Sequence, residues 1–379
     1  MNRKEGIGIV AAGIMAAICA HAGELDPPSS PASTPGPEPR TAVNQDNTPG
    51  SSSAFFVITR PGSYYLTGNI RNQSLLSSRD GIRIAANDVT LDLNGFTLDG
   101  LELIGIPIAG SPQPQGLLAP TTGVRASGDL TNITVMNGVV LDWNDRGINL
   151  SSADACVVRD IRSRSNDGLG ISVGDRSLII DCLAESNAGG GIRGGESCQV
   201  IHSTASLNTG SGISVGPGSL VESCVARGNL GGGGIGIDAG DNSRVVGCIS
   251  ESNGASGIRV QDRCIVTDCL STLNGSSGIS IGSRTVAAGN SCSENGGDGI
   301  TVFPTTEGNC RVDGNTVTDN GDWGIFVFGS GGDCIFVRNM ASDNTSGNYD
   351  FGSGDHSGQI ISAPGNGFVA SNPWANFSF

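Results

Sequence analysis

One set of side chains recurs at a fixed place in the chain, directly after a Gly-Ile or Gly-Val pair. In order these are Arg83, Arg125, Asn149, Ser172, Arg193, Ser214, Asp238, Arg259, Ser280, Thr301 and Phe326. Asp238 enters through Gly236-Ile237, a shift that its longer repeat permits. Four arginines at one position stand out in a chain with 21 Lys plus Arg against 36 Asp plus Glu, a net charge of −15. A planar guanidinium binds a carboxylate bidentately, so a row of them suits a polymer that carries carboxylates. Asp238 has the chemistry of a general acid or base, with Arg259 one repeat away as its partner. The competing reading is a cross-repeat ion pair plus scattered surface charge.

The elements that position this row are repeats. An Asn precedes each Gly-Ile by a few residues: Asn144, Asn166, Asn187, Asn208, Asn229, Asn253, Asn274, Asn295, Asn320 and Asn344. The spacing is 21–25 residues. An apolar residue stands eight before the Asn (Val158, Ile179, Val200, Val221, Val245, Val266), and a small one three before it (Ser163, Ala184, Ala205, Ala226). Period-two alternation here predicts short strands, and no stretch between them has a helical period. So short a unit cannot bury its apolar face alone, so neighbours must stack. The fold this predicts is all-β: a right-handed parallel β-helix, a three-strand solenoid of about eleven rungs. A stacked Asn column can bond rung to rung and satisfy its own amides. The glycines are expected to supply positive-φ turns.

Composition agrees. Gly accounts for 60 of 379 residues, aromatics for 4% and charged residues for 15%. That disfavours a helical bundle, and 37% apolar content disfavours disorder. The acidic balance argues against a nucleic-acid partner.

Cysteines also fall in columns. Five stand ten before the repeat Asn (Cys156, Cys198, Cys264, Cys310, Cys334) and four stand five before it (Cys182, Cys224, Cys248, Cys269). Ser fills the same places elsewhere, so the columns call for small buried groups, mostly free thiols. Stacked neighbours such as Cys224/Cys248 or Cys310/Cys334 could instead close disulfides. No zinc motif is evident. Asp142, Asp145 and Asp167 could cluster near one turn, which leaves calcium as the one ion open. Trp143 and Trp323 flank the turn before the strand and could stack on sugars.

From about residue 55 onward the chain resembles the bacterial exported right-handed parallel β-helix repeat proteins of the pectin-lyase-like superfamily. The resemblance rests on PGSYYLTGNI (61–70), DVTLDLNGFTLDG (88–100), NYDFGSG (348–354) and NPWANFSF (372–379). It implies a polysaccharide or cell-surface glycan as partner. In the epimerase branch it implies a catalytic Asp just after Gly-Ile, which falls on Asp238. The chain departs from the active families: there is no Asp-Pro-His in that strand, and neither His202 nor His356 follows a Gly-Ile pair. Whether it is an enzyme is therefore open, with polysaccharide lyase or epimerase as the class if it is active. Arg83, Arg125, Arg193, Ser214 and Trp323 are the substrate-binding candidates, Asp238 and Arg259 the catalytic ones, preferring an acidic glycan. The alternative is a non-catalytic surface or adhesion scaffold.

The ends complete the organisation. Residues 1–22 read as a signal peptide: Arg3 and Lys4, an apolar run, then Ala20-His21-Ala22 for cleavage. Removing Arg3, Lys4 and Glu5 with it takes the net charge from −15 to −16. Residues 23–54 are a Pro/Ser-rich linker and 55–348 the β-helix, with an N-terminal cap in Phe55–Ile70 and an inserted loop near 101–120. Residues 349–379 are the C-terminal cap. A secreted or periplasmic monomer without a transmembrane segment is expected.

Overall fold

The computed structural model describes residues 40–72, 78–100, 121–231, 233–303, 308–329, 332–362 and 372–379. The signal peptide expected at 1–22, the expected linker up to residue 39 and the inserted loop expected near 101–120 lie outside the described residues. Among those described there is no helix, and no element that could cross a membrane as one. Every regular element is a strand, most of three residues, and every strand pairing is parallel. Each full coil contributes one strand to a 13-stranded sheet and two to a 26-stranded sheet. The coil between Ile171 and Asn187 shows the plan: Ile171–Val173 in the first sheet, Leu178–Ile180 and Leu183–Glu185 in the second.

The core is a set of stacked columns. Ile148, Ile171, Ile192, Ile213, Ile237, Ile258, Ile279, Ile300 and Ile325 form one, and Val158, Ile179, Val200, Val221, Val245 and Val266 another. All are essentially inaccessible, and burying each such side chain is worth about 1.5–3 kcal/mol. The 13-stranded sheet runs from Ala54–Ile58 to Gly347–Asp350, so the stack continues beyond the eleven coils evident in the repeats. Thr41–Ala42 already pairs with Gly62–Tyr65, and Arg40 bonds Asp92, so the coil takes up residues assigned above to the linker.

The strands are short because the chain bends into left-handed conformation three times per coil. In one coil these bends are Arg176 (φ 55°), Asp181 (φ 53°) and Ser186 (φ 55°). Each is followed by a buried residue that bonds to its counterpart on an adjacent coil. The Asn column does this twice over: the backbone N–H and Nδ2 of Asn208 both donate to Asn229 Oδ1 (3.1 and 3.0 Å), and Nδ2 also reaches the Ala184 carbonyl (3.1 Å). The ladder runs from Asn166 to Asn344. Asn144 is not in it. Trp143 occupies that register position, and its N–H donates to Asn166 Oδ1.

The expectation that the Gly-Ile glycines make positive-φ turns is overturned. Gly170, Gly191 and Gly212 have ordinary φ, and mostly non-glycine residues make the bends. These glycines are required by close packing: a Cβ at Gly170 would meet Asn187 Nδ2 at 2.7 Å and Gly191 O at 2.8 Å.

The cysteine columns are the other two ladders. The N–H of Cys156 donates to Ser177 Oγ (3.0 Å), that of Cys198 to Ser219 Oγ (3.0 Å) and that of Cys264 to Thr285 Oγ1 (3.1 Å). The thiols donate to carbonyls, as Cys198 Sγ does to Gly174 O (3.2 Å). The column of Cys182 and Cys269 becomes a second amide ladder, Asn290–Asn315–Asn339–Asn376. All ten described cysteines are free and buried. Burial pushes the Cys156 thiol up to about 11 and Cys182 to about 12, so neither is a nucleophile.

Candidate functional site

The outward residues of the 13-stranded sheet form one column. Strand register aligns Arg83 with Arg125, Arg125 with Asn149, Asn149 with Ser172, and Ser172 with Arg193. It continues through Ser214, Asp238, Arg259, Ser280, Thr301 and Phe326. Side chains alternate along a strand, so the Ile on one side and the apolar residue on the other point inward while this residue faces out.

The four arginines meet different fates. Arg83 and Arg125 converge on Asp80, which is buried: Arg83 Nη2 lies 2.6 Å and Arg125 Nε 3.0 Å from Oδ2. Arg125 also donates to Thr122 Oγ1 (2.6 Å) and reaches Asp145 Oδ2 (3.3 Å). These two are consumed within the protein and do not present a free guanidinium. Arg259 clasps Asp238 bidentately, with Nε–Oδ1 at 2.9 Å and Nη2–Oδ2 at 2.7 Å. The bond to Asp238 raises the Arg259 pKa further. The Arg193 side chain is exposed and makes no hydrogen bond or ion pair among the described residues.

Arg193 opens onto a cleft of about 460 Å³, lined also by Arg146, Ser172, Asp175, Glu196 and Ser214. Arg146 is steadied by Asn149 Oδ1 (3.1 Å). A second cleft, of about 320 Å³, lies farther along the same sheet, with Arg259, Gln261, Ser276, Ser277, Ser280 and Phe303 in its wall. Behind it runs a hydrogen-bonded chain: Ser277 Oγ meets Thr301 Oγ1 at 2.7 Å, and Thr301 Oγ1 donates to Asp298 Oδ2 at 2.7 Å. Burial raises the Asp298 pKa, and the bonds from Thr301 and the Trp323 N–H pull it back only in part.

Neither tryptophan is a free sugar platform. Trp143 is 1% exposed, with Nε1 donating to the Leu98 carbonyl. The half-buried Trp323 packs its ring on Gly347, where a Cβ would come within 2.4 Å. Asp145, a member of the expected calcium cluster, is engaged by Arg125. Among the described residues no group of three or more His, Cys, Asp or Glu side chains is arranged to hold a metal.

The sequence had more to offer here. Arg146, Ser256, Ser277 and Asp298 all stand immediately before the repeat glycine, next to the row that was followed. Reading that neighbouring position would have found them.

The stacked coils, with a polar outward column over an apolar and amide-laddered interior, define the class as a β-solenoid. Residues 146–286 and 192–345 match the family described as "Right handed beta helix region", together spanning 146–345, more than half of the chain. The chain belongs to that right-handed β-helix family. Among solved structures it is similar to the A-module of the mannuronan C-5 epimerase AlgE6 of Azotobacter vinelandii (16% identity, TM-score 0.57). That match covers 81% of this chain and 92% of that one. The AlgE4 A-module from the same organism gives 13% identity and a TM-score of 0.49, covering 84% and 86%. A mutant tailspike protein of an E. coli bacteriophage, in complex with a pentasaccharide, gives 14% and 0.47, covering 86% and 65%. At such identities the likeness is one of fold. No curated protein matches the sequence.

Proposed function

We propose that this protein binds an acidic polysaccharide along the outward column of the 13-stranded sheet, with Arg193 as the principal carboxylate contact. The observation that carries the reading is the unpaired, exposed guanidinium of Arg193 in a cleft bounded by Ser172, Ser214 and Arg146, whose wall also holds Asp175 and Glu196. A charge-assisted pair between Arg193 and a uronate carboxylate is worth about 1.5–3 kcal/mol. The half-buried Ser214 hydroxyl beside Arg193 is suited to a sugar hydroxyl, whereas Ser172 on the other side is buried. The structural neighbour that acts on mannuronan gives the reading external support.

Processing of the bound polymer would fall to Asp238, whose carboxylate must first leave Arg259 before it could take a proton from a sugar carbon. That closed pair favours a second reading, a non-catalytic surface scaffold that holds the glycan without altering it. We also read the protein as acting outside the cytoplasm after loss of residues 1–22; N-terminal sequencing of the exported chain would begin at Gly23.

The test is a glycan panel on the purified chain. Polygalacturonate, mannuronan and neutral polymers would be scored for binding and for the ultraviolet absorbance of an unsaturated elimination product. Uronate binding without product supports the scaffold form, and product supports a lyase. Absence of uronate binding overturns the proposal.

A further inference from the structure

Beyond Arg193 the column changes character. The position two residues past it is Gly on several coils (Gly174, Gly195, Gly216, Gly282) and Phe on two successive coils, Phe303 and Phe328. Both rings are exposed, at 42% and 59%, although their neighbours one residue back, Val302 and Val327, are buried. Their centroids are 5.2 Å apart with a 35° tilt, and Phe326 meets Phe328 edge-on at 6.4 Å. Three aromatic residues thus cluster at the end of a polar groove, and Phe303 itself walls the 320 Å³ cleft beside Ser276, Ser277 and Ser280.

We infer that this cleft is a subsite for an uncharged sugar ring, so that the ligand is a heteropolysaccharide carrying both acidic and neutral residues. The inference rests on the acidic-glycan reading for the Arg193 end of the groove. The aromatic rings offer an apolar surface to the C–H face of a sugar, and the exposed Ser276 and half-buried Ser256 hydroxyls of the cleft wall offer donors and acceptors to its hydroxyl groups. A uronate is disfavoured here on three counts. The one cation among the described residues lining the cleft, Arg259, is already held bidentately by Asp238. The Asp298 carboxyl stands behind Ser277 and Thr301. The faces of the aromatic rings carry negative potential. From Arg193 to Thr301 is five coils, ~24 Å at ordinary strand spacing, room for several sugar residues between the two subsites.

The experiment titrates the full chain calorimetrically with three probes. These are polygalacturonate, the alternating galacturonate–rhamnose backbone of rhamnogalacturonan, and a neutral galactan. Phe303→Ala with Phe328→Ala, both at exposed positions, is compared with Arg193→Ala, and melting curves confirm that each variant is folded. The expected result is that the double Phe variant loses about tenfold in affinity for the alternating polymer and stays within about twofold for polygalacturonate, while Arg193→Ala weakens both. Unchanged binding of the alternating polymer by the double variant overturns the subsite and leaves the Arg193 reading standing. Equal loss for both acidic polymers also overturns it. Phe-dependent binding of the galactan with no uronate binding supports the subsite while the acidic-glycan reading fails.

Discussion

Arg125 and Arg193 occupy the same outward position three coils apart, yet one is locked and the other open. Arg125 is held by Asp80, Thr122 and Asp145. Arg193 makes no such bonds. The deciding position is the one just before the repeat glycine. Around Arg125 it holds Asp80 and Thr122; around Arg193 it holds Leu169, Gly190 and Ser211. A guanidinium is available for a ligand only where neither that neighbouring column nor its own supplies a carboxylate, as Asp238 does for Arg259. Stacking fixes both columns in register, so one coil's side chain sets the state of the next.

Removing the carboxylate on the locked side should have the largest effect. Asp80→Ala leaves two partly buried guanidinium groups without their shared partner, and a stability loss of about 3 kcal/mol is expected in urea titration. Arg193→Ala should stay within about 0.5 kcal/mol. Equal losses would mean that the two arginines are not differently employed.

The contrast should also be transferable. Leu169 stands one coil before Arg193 as Asp80 stands one coil before Arg125. Leu169→Asp is expected to capture Arg193 and lower uronate affinity about tenfold while leaving the fold intact. Retained affinity with a folded variant would show that register alone does not close the site.

A third comparison uses pH. Asp313 and Asp298 are comparably buried, only 6% and 8% exposed, but shift in opposite directions. Arg338 and then Arg311 hold the Asp313 pKa below its ordinary 3.8, so its stabilisation is present above 3.8 and is lost as pH falls through the depressed folded value. Burial holds Asp298 above 3.8, so its contribution is full below 3.8 and fades as pH rises through the raised value. Melting temperature against pH should therefore flatten on the acid side in Asp313→Asn and on the higher side in Asp298→Asn. The same limb changing in both variants would contradict the assignment.

Much of the architecture is legible in the residues. The Asn at 21–25-residue spacing and the Gly-Ile pairs encode the ladder and the register, because identical side chains must stack when short strands do. The second amide ladder was legible too, since Asn290, Asn315 and Asn339 each stand five before the next ladder Asn, where Cys occurs in earlier coils. The role of glycine was not. Tight packing and positive φ both call for Gly, and only the coordinates show that Gly170 abuts Asn187 while Ser186 makes the bend. Trp143 in an Asn position was equally hidden, because a one-residue offset places Asn144 where the spacing expects it. In the site, the row of arginines could be listed from sequence, but its sorting into locked and open members depends on partners from adjacent coils.

The most direct test is calorimetric titration of polygalacturonate and mannuronan into the unmodified chain, Arg193→Ala and Arg244→Ala. Arg244 is an exposed arginine on the 26-stranded sheet, so its loss removes the same charge from another face. At least tenfold weaker binding in Arg193→Ala, with Arg244→Ala within about twofold, is the predicted result. Equal weakening in both variants, or none in either, would contradict an Arg193 carboxylate site.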